Sequence, residues 1–352
     1  MRNQESLKNG DGGLAGFGLG RNPMNILFVH GYPSTFVVAD LNLLKEKYNV
    51  RELWFRRGLN HIWKSIYLSV KGVMGAHVIF CWFGAFHALI PAVIGRILKR
   101  KVIIVACGYD IANMPEIEYG NMRPGIRKYI GRLVFSLANQ VLAASNLAKS
   151  ELIKNVRVPI AKIKTIYLGF QPVPFDPEKK KEKIAVCLGI VNFSNLKRKG
   201  IEHFVAAAQY LPEVRFLLIG EHVDGAVHYL KSIASQNVEI LGFVKELNGI
   251  MESTSVIVQV SAHEGFGCAV AEAMLKGCIP VVTNRGSLPE VVGDTGIYTA
   301  YGDPKAIAQA IKQALALGPD AQLLARRYIM NKFPKDLRKQ EIYNVLDNLE
   351  KL

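Results

Sequence analysis

The sequence predicts an α/β protein built from two successive doubly wound domains. Short apolar runs alternate with helical stretches along the chain from Met24 onward. The alternation is interrupted at residues 172–183, which read "PVPFDPEKKKEK". The chain has 352 residues, too many for one ordinary domain and a suitable number for two. Strands that alternate with helices form parallel sheets with helices on both faces.

The first half contains the apolar runs expected of buried parallel strands. Residues 24–31, "MNILFVHG", are apolar up to a final glycine, and "VVADLNLLKEKY" follows as a helix. The runs "HVIFCW", "KVIIVACG" and "QVLAAS" continue the alternation. We expect residues 24–171 to form the N-terminal domain. Residues 1–23 are expected to be a flexible tail, because their "GGLAGFGLG" precedes a strand, whereas a dinucleotide-binding loop follows one.

The second half repeats the pattern after the interruption. Three prolines and a charge run predict a linker at residues 172–183. The runs "IAVCLGIV", "VRFLLIG", "VEILGFV", "VIVQVS" and "IPVVTN" predict the strands of a C-terminal domain at residues 184–334. Residues 335–352 carry apolar side chains at helical spacing. We therefore expect a final helix that packs back across the cleft between the two domains.

Charge and cysteine content narrow the functional class. Residues 1–175 carry 23 Lys and Arg against 9 Asp and Glu, whereas residues 176–352 carry 21 against 20. A basic half indicates an acidic partner such as a membrane surface, a phosphorylated substrate or nucleic acid. No nucleic-acid-binding module is recognisable, so nucleic acid is not expected. The five cysteines form no C-x-x-C pair, which favours reduced thiols in a cytoplasmic protein.

Two segments of the first half mix basic and aromatic residues. They read "VRELWFRRGLNHIWKSIYLSVKG" and "MRPGIRKYIGRLVFSLANQ". Such composition is typical of interfacial helices and predicts peripheral association with an anionic membrane. The alternative is an ordinary basic surface with buried aromatics. Residues 72–95 lack charge, but their glycines, proline and "VIFCW" run favour strand, loop and helix over a membrane span.

Two carboxylates flank a glycine-rich turn in "SAHEGFGCAVAEAMLKG". The pattern predicts a strand-to-helix turn, with Glu264 before it and Glu272 about one turn into the helix. Free N–H groups at the start of a helix attract phosphate, and glycines allow close approach. Carboxylates accept hydrogen bonds from sugar hydroxyls, so the pattern favours a nucleoside-diphosphate sugar. The alternative is a capping acid and a solvated glutamate.

The longer segment "SAHEGFGCAVAEAMLKGCIPVVTNRGSLPEVVGDTG" resembles the donor site of retaining glycosyltransferases of the GT-B fold, the group 1 or family 4 class. The resemblance implies that Glu264 contacts the transferred sugar and Glu272 the ribose hydroxyls. The turn between them would bind the diphosphate and the sugar, through Gly265, Phe266, Gly267, Cys268 and Ala269.

Two further segments resemble the same family. "KRKGIEHFVAAAQYLPEVRFLLIG" matches a basic segment in which Lys199 would neutralise the diphosphate. The family's additional arginine is missing from "GIVNFSN", so Arg198 or Lys197 is expected to replace it, because a departing diphosphate needs positive charge. "VEILGFVKELNGIMESTSVIV" resembles the segment that frames the nucleotide base, near Phe243 and Val244.

The resemblance implies that residues 184–334 bind the donor and that residues 24–171 bind the acceptor. The first domain matches the family less closely. "VIIVACGYDIANMPEIEYG" has Tyr109 and Asp110 where relatives place a histidine near the reacting sugar. Either residue is expected to position the sugar or acceptor, although Asp110 equally fits a capping role. His87 is a candidate for the acceptor side or for the core. Gly31 is a candidate border of the diphosphate or an ordinary turn glycine.

The sequence therefore predicts a retaining hexosyltransferase that acts on an acceptor hydroxyl, with a lipid-linked or membrane-proximal glycan as acceptor. No Asp-x-Asp motif is present, so we expect no metal or other cofactor, with Lys199 and the helix start serving the diphosphate. The alternatives are a sugar epimerase of the same fold and a non-catalytic protein that binds sugar nucleotides or acts as a membrane scaffold.

Overall fold

The computed structural model describes residues 24–55 and 59–350 and contains two six-stranded parallel sheets. The tail expected at residues 1–23 lies outside the described residues. The strands of the first sheet lie in the order β2-β1-β3-β4-β5-β6. They are β1 (Asn25–His30), β2 (Asn49–Trp54), β3 (Val78–Trp82), β4 (Lys101–Ala106), β5 (Gln140–Ala143) and β6 (Ile163–Thr165).

Among the described residues, five α-helices cover this first sheet. They are α1 (Thr35–Lys45), α2 (Leu59–Gly75), α3 (Phe86–Ile97), α4 (Ile126–Leu137) and α5 (Asn146–Glu151). Every residue of β3 is buried, as expected for a central strand with helices on both faces. The uncharged residues 72–95 span the end of α2, all of β3 and the start of α3, so the prediction of strand, loop and helix is confirmed. In the described part of the chain, no helix is long and apolar enough to cross a membrane.

The second sheet has the strand order β12-β11-β10-β7-β8-β9. Its strands are β7 (Glu182–Leu188), β8 (Arg215–Ile219), β9 (Val238–Leu241), β10 (Thr254–Gln259), β11 (Ile279–Thr283) and β12 (Ile297–Thr299). The order reverses between β7 and β10, and ligands of such sheets bind beyond the carboxyl ends of the strands at this point. Strand β7 begins at Glu182, within the segment expected to be the linker.

Nine α-helices accompany the second sheet in the described residues. They are α6 (Phe193–Arg198), α7 (Ile201–Ala207), α8 (Ala226–Ile233), α9 (Asn248–Ser253), α10 (Cys268–Leu275), α11 (Leu288–Val292), α12 (Pro304–Ala316), α13 (Pro319–Lys332) and α14 (Lys335–Glu350). The chain crosses between the domains twice, and the two crossings meet where the amide of Lys335 donates to the carbonyl of Phe170. Helix α14 then packs on the first domain, as the sequence predicted.

A buried ion pair fastens α14 to α1. Arg338 donates from Nε to Asp40 Oδ1 at 2.7 Å and from Nη2 to Oδ2 at 2.6 Å. Trp82 Nε1 donates to the same carboxylate at 3.0 Å. Arg338 Nη1 also donates to the carbonyl oxygens of Ile166 and Tyr167. Both charges are therefore fully hydrogen-bonded, which is what a buried ion pair requires.

Replacement of Arg338 by Met should lower the free energy of unfolding by about 3–5 kcal/mol, because Asp40 would remain as a buried, uncompensated carboxylate. The control is Lys47→Met, which breaks an ion pair with Asp347 whose two side chains are 43% and 44% exposed. That change should cost less than about 1 kcal/mol. Urea unfolding followed by circular dichroism measures both. Equal losses in the two variants would show that Arg338 is not needed to compensate Asp40.

Candidate functional site

A cavity of about 410 Å³ lies between the two domains, at the carboxyl ends of their sheets. Both domains line it. The first domain contributes Thr35, Phe36, Phe83, Cys107, Gly108, Tyr109 and Tyr119; the second contributes Arg198, Lys199, Gln259, Glu264, Gly265, Phe266, Gly267, Cys268, Ala269 and Glu272. The structure thus brings together the residues of the glycine-rich turn, both acids, and two of the three basic residues that the sequence singled out.

Glu264 follows β10 and carries its carboxylate on the cavity wall, 16% exposed. Its Oε2 lies 3.8 Å from Arg198 Nη1 and 3.9 Å from Lys199 Nζ, and Ser261 Oγ donates to it at 3.2 Å. Burial acts to raise the pKa of Glu264, but the charges of Lys199 and then Arg198 outweigh it and hold the pKa below its ordinary value. The carboxylate is therefore ionised at neutral pH.

The two cations are fixed by their own neighbours. The stem of Lys199 lies against Gly189, where a Cβ would stand 2.8 Å from Lys199 Cδ, and Nζ reaches the carbonyl of Leu188 at 3.5 Å. Arg198 donates from Nε and Nη2 to Asn195 Oδ1 at 3.0 and 2.8 Å. Lys197, the other sequence candidate, is exposed. The geometry favours Arg198 as the second cation.

The turn from Glu264 into α10 needs its glycines. A Cβ on Gly265 would stand 1.9 Å from the carbonyl oxygen of Cys107 in the other domain, so the two backbones touch there. Gly267 has φ of 102°, a value that favours glycine. Cys268 begins α10, and the start of this helix borders the cavity. Phe266 differs, because its side chain is 2% exposed and belongs to the core.

Glu272 borders the same cavity from further along α10. It also borders an adjoining cavity of about 430 Å³, which is lined largely by apolar side chains such as Leu188, Leu247 and Met251. Desolvation by the surrounding protein raises the pKa of Glu272, although this residue is exposed where it borders the cavity. The helix start thus has one carboxylate on either side, as the sequence predicted.

The segment after β9 passes beside the adjoining cavity, and the assignment of Phe243 and Val244 to the nucleotide base remains a prediction. Phe243 is 76% exposed, and Val244 packs against the core. Leu247, Asn248 and Met251, a few residues further on, line the adjoining cavity. These three residues were not identified from the sequence. These residues lie at the cleft because of where α9 packs, and the sequence pattern does not predict the position of that helix.

Asp110 does not border the cavity. Its carboxylate accepts hydrogen bonds from the amides of Gly84 and Gly108, both at 3.1 Å, and it is 1% exposed. Burial raises the pKa of Asp110 to about 6 against these backbone hydrogen bonds. The expectation that Asp110 contacts the sugar does not fit this placement, and the capping role does, because the carboxylate joins two loops. Tyr109 does line the cavity, and its hydroxyl accepts from Arg127 at 3.0 Å.

His87 and Gly31 are neighbours at the carboxyl ends of β3 and β1. A Cβ on Gly31 would stand 3.1 Å from His87 Nδ1, and His87 Nε2 lies 2.6 Å from the carbonyl oxygen of Trp82. Neither residue is among those that line the cavity around Glu264. Their assignments to the acceptor and to the diphosphate remain predictions.

Tyr119 is a cavity residue that was missed in the sequence. It closes a short hairpin, in which Met114 and Tyr119 exchange backbone hydrogen bonds at 3.0 Å. Its ring lies 4.9 Å from the Arg198 guanidinium and 5.2 Å from the ring of Tyr109. Burial raises the pKa of its phenol, so the hydroxyl stays protonated. The contact with Arg198 joins the two domains and has no local sequence signal.

Residues 182–316 match the family described as glycosyl transferases group 1. The match begins with β7 and ends with α12, and so lies within the second domain. Among curated proteins, an uncharacterized glycosyltransferase of Methanocaldococcus jannaschii is 28% identical over 239 residues, covering 60% of this chain and 58% of that protein. The O-antigen chain mannosyltransferase B of Escherichia coli is 30% identical over 200 residues, covering 51% and 52%. The chain thus spans between half and three fifths of these relatives.

Solved structures confirm the GT-B fold. Anabaena Alr3699/HepE in complex with UDP-glucose superposes with a TM-score of 0.73 at 19% identity, covering 92% of this chain and 100% of that chain. Sucrose-phosphate synthase of Thermosynechococcus elongatus superposes with a TM-score of 0.71 at 17% identity, covering 94% and 100%. Over residues 24–55 and 59–350, no group of three His, Cys, Asp or Glu side chains could hold a metal ion.

Replacement of Gly265 by Ala should push the domains apart, because the new Cβ would overlap the carbonyl oxygen of Cys107. Small-angle X-ray scattering should show an increased radius of gyration. The control is Gly242→Ala, where a Cβ would meet open space, and its scattering should match that of the parent protein. An unchanged radius for Gly265→Ala would contradict the view that this contact sets the approach of the domains.

Proposed function

We propose that the protein transfers a hexose from a nucleoside-diphosphate sugar to an acceptor hydroxyl. The observation that carries the proposal is the buried, ionised Glu264 beside Lys199 and Arg198, in an interdomain cavity into which a glycine turn and α10 open. A carboxylate accepts hydrogen bonds from sugar hydroxyls. Cations stabilise a departing diphosphate, and the start of a helix binds its phosphate oxygens.

In the proposed reaction, the diphosphate lies at the start of α10. As the bond between the sugar and the diphosphate breaks, negative charge develops on the leaving oxygens, and Lys199 and Arg198 stabilise it in place of a metal ion. Glu264 binds hydroxyls of the transferred sugar, and Glu272 binds those of the ribose. A leaving diphosphate oxygen accepts the proton of the acceptor hydroxyl as the new bond forms on the same face, which retains the anomeric configuration.

The comparisons support the donor class. The matched relatives include a mannosyltransferase, and one structural neighbour is a complex with UDP-glucose. Our proposal extends this chemistry to the present cavity. The alternatives from the sequence, a sugar epimerase and a non-catalytic binder, differ in their products: an epimerase releases free sugar without an acceptor, and a binder turns nothing over.

The donor test begins with UDP, GDP and ADP sugars in a thermal-shift screen, since a ligand that binds the folded state raises its melting temperature. Lys199→Met and Glu264→Gln should then each lower the rate of nucleotide release from that donor by about 10²–10³-fold, because each removes a group that stabilises the transition state. Lys197→Met is the matched control, since Lys197 is exposed and two positions away. Equal rates for Lys199→Met and Lys197→Met would refute the assignment of Lys199.

We also propose an anionic membrane as the surface on which the acceptor is presented. Helix α2 exposes Trp63, Tyr67, Val70 and Met74, which follow one another at helical spacing, with Trp63 80% and Tyr67 63% exposed. The alternative of buried aromatics does not fit these two residues. Helix α3 packs against both α2 and α4. Helix α4 in turn exposes apolar side chains at the same spacing, namely Ile126, Tyr129 and Leu133.

The charged residues around these apolar side chains are basic. No Asp or Glu occurs in residues 53–109 or 119–150, which include all of α2, α3 and α4. Lys64 and Lys71 are exposed beside the apolar stripe of α2. An apolar stripe among basic residues is the composition of helices that lie in the interface of an anionic bilayer. This supports a lipid-linked or membrane-proximal acceptor.

Charge removal on α2 should weaken binding to vesicles of phosphatidylglycerol and phosphatidylcholine. The double variant Lys64→Gln/Lys71→Gln should bind about 30-fold more weakly, because each basic residue near such a surface contributes about 1 kcal/mol. The matched control is Lys305→Gln/Lys312→Gln, an exposed pair at the same spacing on α12. Vesicle flotation measures both. The proposed docking surface would be refuted if the two variants had equal affinities. It would also be refuted if the parent protein bound pure phosphatidylcholine vesicles as tightly as vesicles that contain phosphatidylglycerol.

A further inference from the structure

We propose that two residues of the first domain, Tyr119 and Glu151, position the reactive charges of the second domain. In this view the donor binds to groups that lie within the second domain, whereas the reaction centre also needs contacts from the first domain. The inference rests on the proposed glycosyl transfer and adds two positioning residues to it. Three sets of contacts across the domain boundary carry it.

The first contact holds Arg198. One side of its guanidinium is held by Asn195 of its own helix, and the other lies over the ring of Tyr119, 4.9 Å from the centroid. A guanidinium over an aromatic face is attracted by the ring. Tyr119 is itself packed against Tyr109 and against the ring of His263, at 5.2 and 5.4 Å. The orientation of Arg198 toward Glu264 thus depends on a ring from the other domain.

The second contact holds the residue that precedes Glu264. His263 Nε2 lies 2.8 Å from Glu151 Oε1 of the first domain, and the two side chains are 4% and 12% exposed. The pair is therefore buried at the domain boundary, where a lost partner would leave an uncompensated polar group. His263 also contributes, after Lys199 and Arg198, to the low pKa of Glu264.

The third contact holds the backbone on the other side of Glu264. Ser145 Oγ donates to the carbonyl oxygen of Gly265 at 3.1 Å, and Gly265 touches Cys107. Residues 263 and 265 are thus both fastened to the first domain. Lys199 is held differently, since its stem and ammonium rest on Gly189 and on the carbonyl of Leu188 within the second domain.

This division predicts how the kinetic constants separate. Loss of Tyr119 or Glu151 should lower kcat while the affinity for the donor persists, because Lys199 and the start of α10 remain in place to bind the diphosphate. A displacement of about 1 Å costs on the order of 10²-fold in rate. We therefore expect kcat to fall about 100-fold in Glu151→Ala and in Tyr119→Leu. Tyr119→Phe keeps the ring that Arg198 faces and should recover most of the loss.

The experiment measures donor Kd by calorimetry and kcat by nucleotide release, on the full chain with the donor found in the screen. The control is Asp347→Asn, which removes a carboxylate that joins α14 to Lys47, in the turn after α1. Unchanged Kd with lowered kcat in the Tyr119 and Glu151 variants, and neither change in the control, is the expected result. If Glu151→Ala does not fold, Glu151→Gln replaces it, since Gln retains an acceptor for His263 but not the charge.

The pH dependence supplies a second readout. Glu264 faces Lys199 and Arg198 from the second domain, Tyr119 and Cys107 from the first, and His263 and Ser261 within its own loop. Tyr119→Leu removes the ring that holds Arg198 beside Glu264, so the pKa of Glu264 should rise. A carboxylate with a higher pKa ionises at higher pH, and the acid limb of kcat should move upward in pH. A purely structural role would leave the limb unmoved.

The outcomes are distinct for the two proposals. If the parent protein binds and turns over a sugar nucleotide while the Tyr119 and Glu151 variants match it in kcat, the inference is overturned and the proposed function stands. If donor affinity falls together with kcat in these variants, the inference is overturned as well. A parent protein that neither binds nor turns over any sugar nucleotide would overturn both proposals.

Discussion

The buried carboxylate of Glu264 is the constraint on which the arrangement of the cleft depends. A carboxylate in a protein interior is stable in its charged form when positive charge and hydrogen-bond donors compensate the loss of water. Arg198 and Lys199 provide that charge, and they can do so because α6 lies against the end of β10. The amide of Ala262 donates to the carbonyl of Arg198 at 2.8 Å, which joins the two segments directly.

The same constraint explains several backbone features of the second domain. Gly200 has φ of 67°, and a Cβ there would stand 2.2 Å from the carbonyl oxygen of Val260, so the turn after Lys199 packs tightly on the strand end. Gly286 approaches Glu264 in the same way, with a Cβ that would lie 2.6 Å from its amide nitrogen. Glycine at both positions lets neighbouring loops close around the carboxylate. The site is thus held by backbone contacts as much as by ion pairs.

The parts of the fold that follow from local patterns could be predicted from the sequence. Continuous apolar runs such as "MNILFVHG" mark buried strands, and the prolines after Phe170 mark the interdomain segment. Glu264, Glu272 and the glycines between them lie within one strand-turn-helix unit, so their relation is local. Lys199 follows β7, the first strand of its domain, and therefore lies near the point between β7 and β10 where the strand order reverses.

The contacts that the sequence did not predict join distant segments. Asp110 and Tyr119 both follow β4, but their roles are decided by packing: Asp110 turns inward to the amides of Gly84 and Gly108, and Tyr119 meets Arg198 of the other domain. Similarly, the position of α9 places Leu247 rather than Phe243 at the cleft. These positions depend on tertiary packing, which the periodic patterns of the sequence do not predict.

A crystal structure of the protein with a bound nucleoside diphosphate would show which groups hold the donor. We expect the diphosphate to lie at the start of α10, with Lys199 Nζ in hydrogen-bond contact with a phosphate oxygen and the Glu272 carboxylate in contact with the ribose hydroxyls. A nucleotide bound elsewhere, for example in the outer cavity between residues 115–118 and α6, or with its ribose turned away from Glu272, would contradict this expectation.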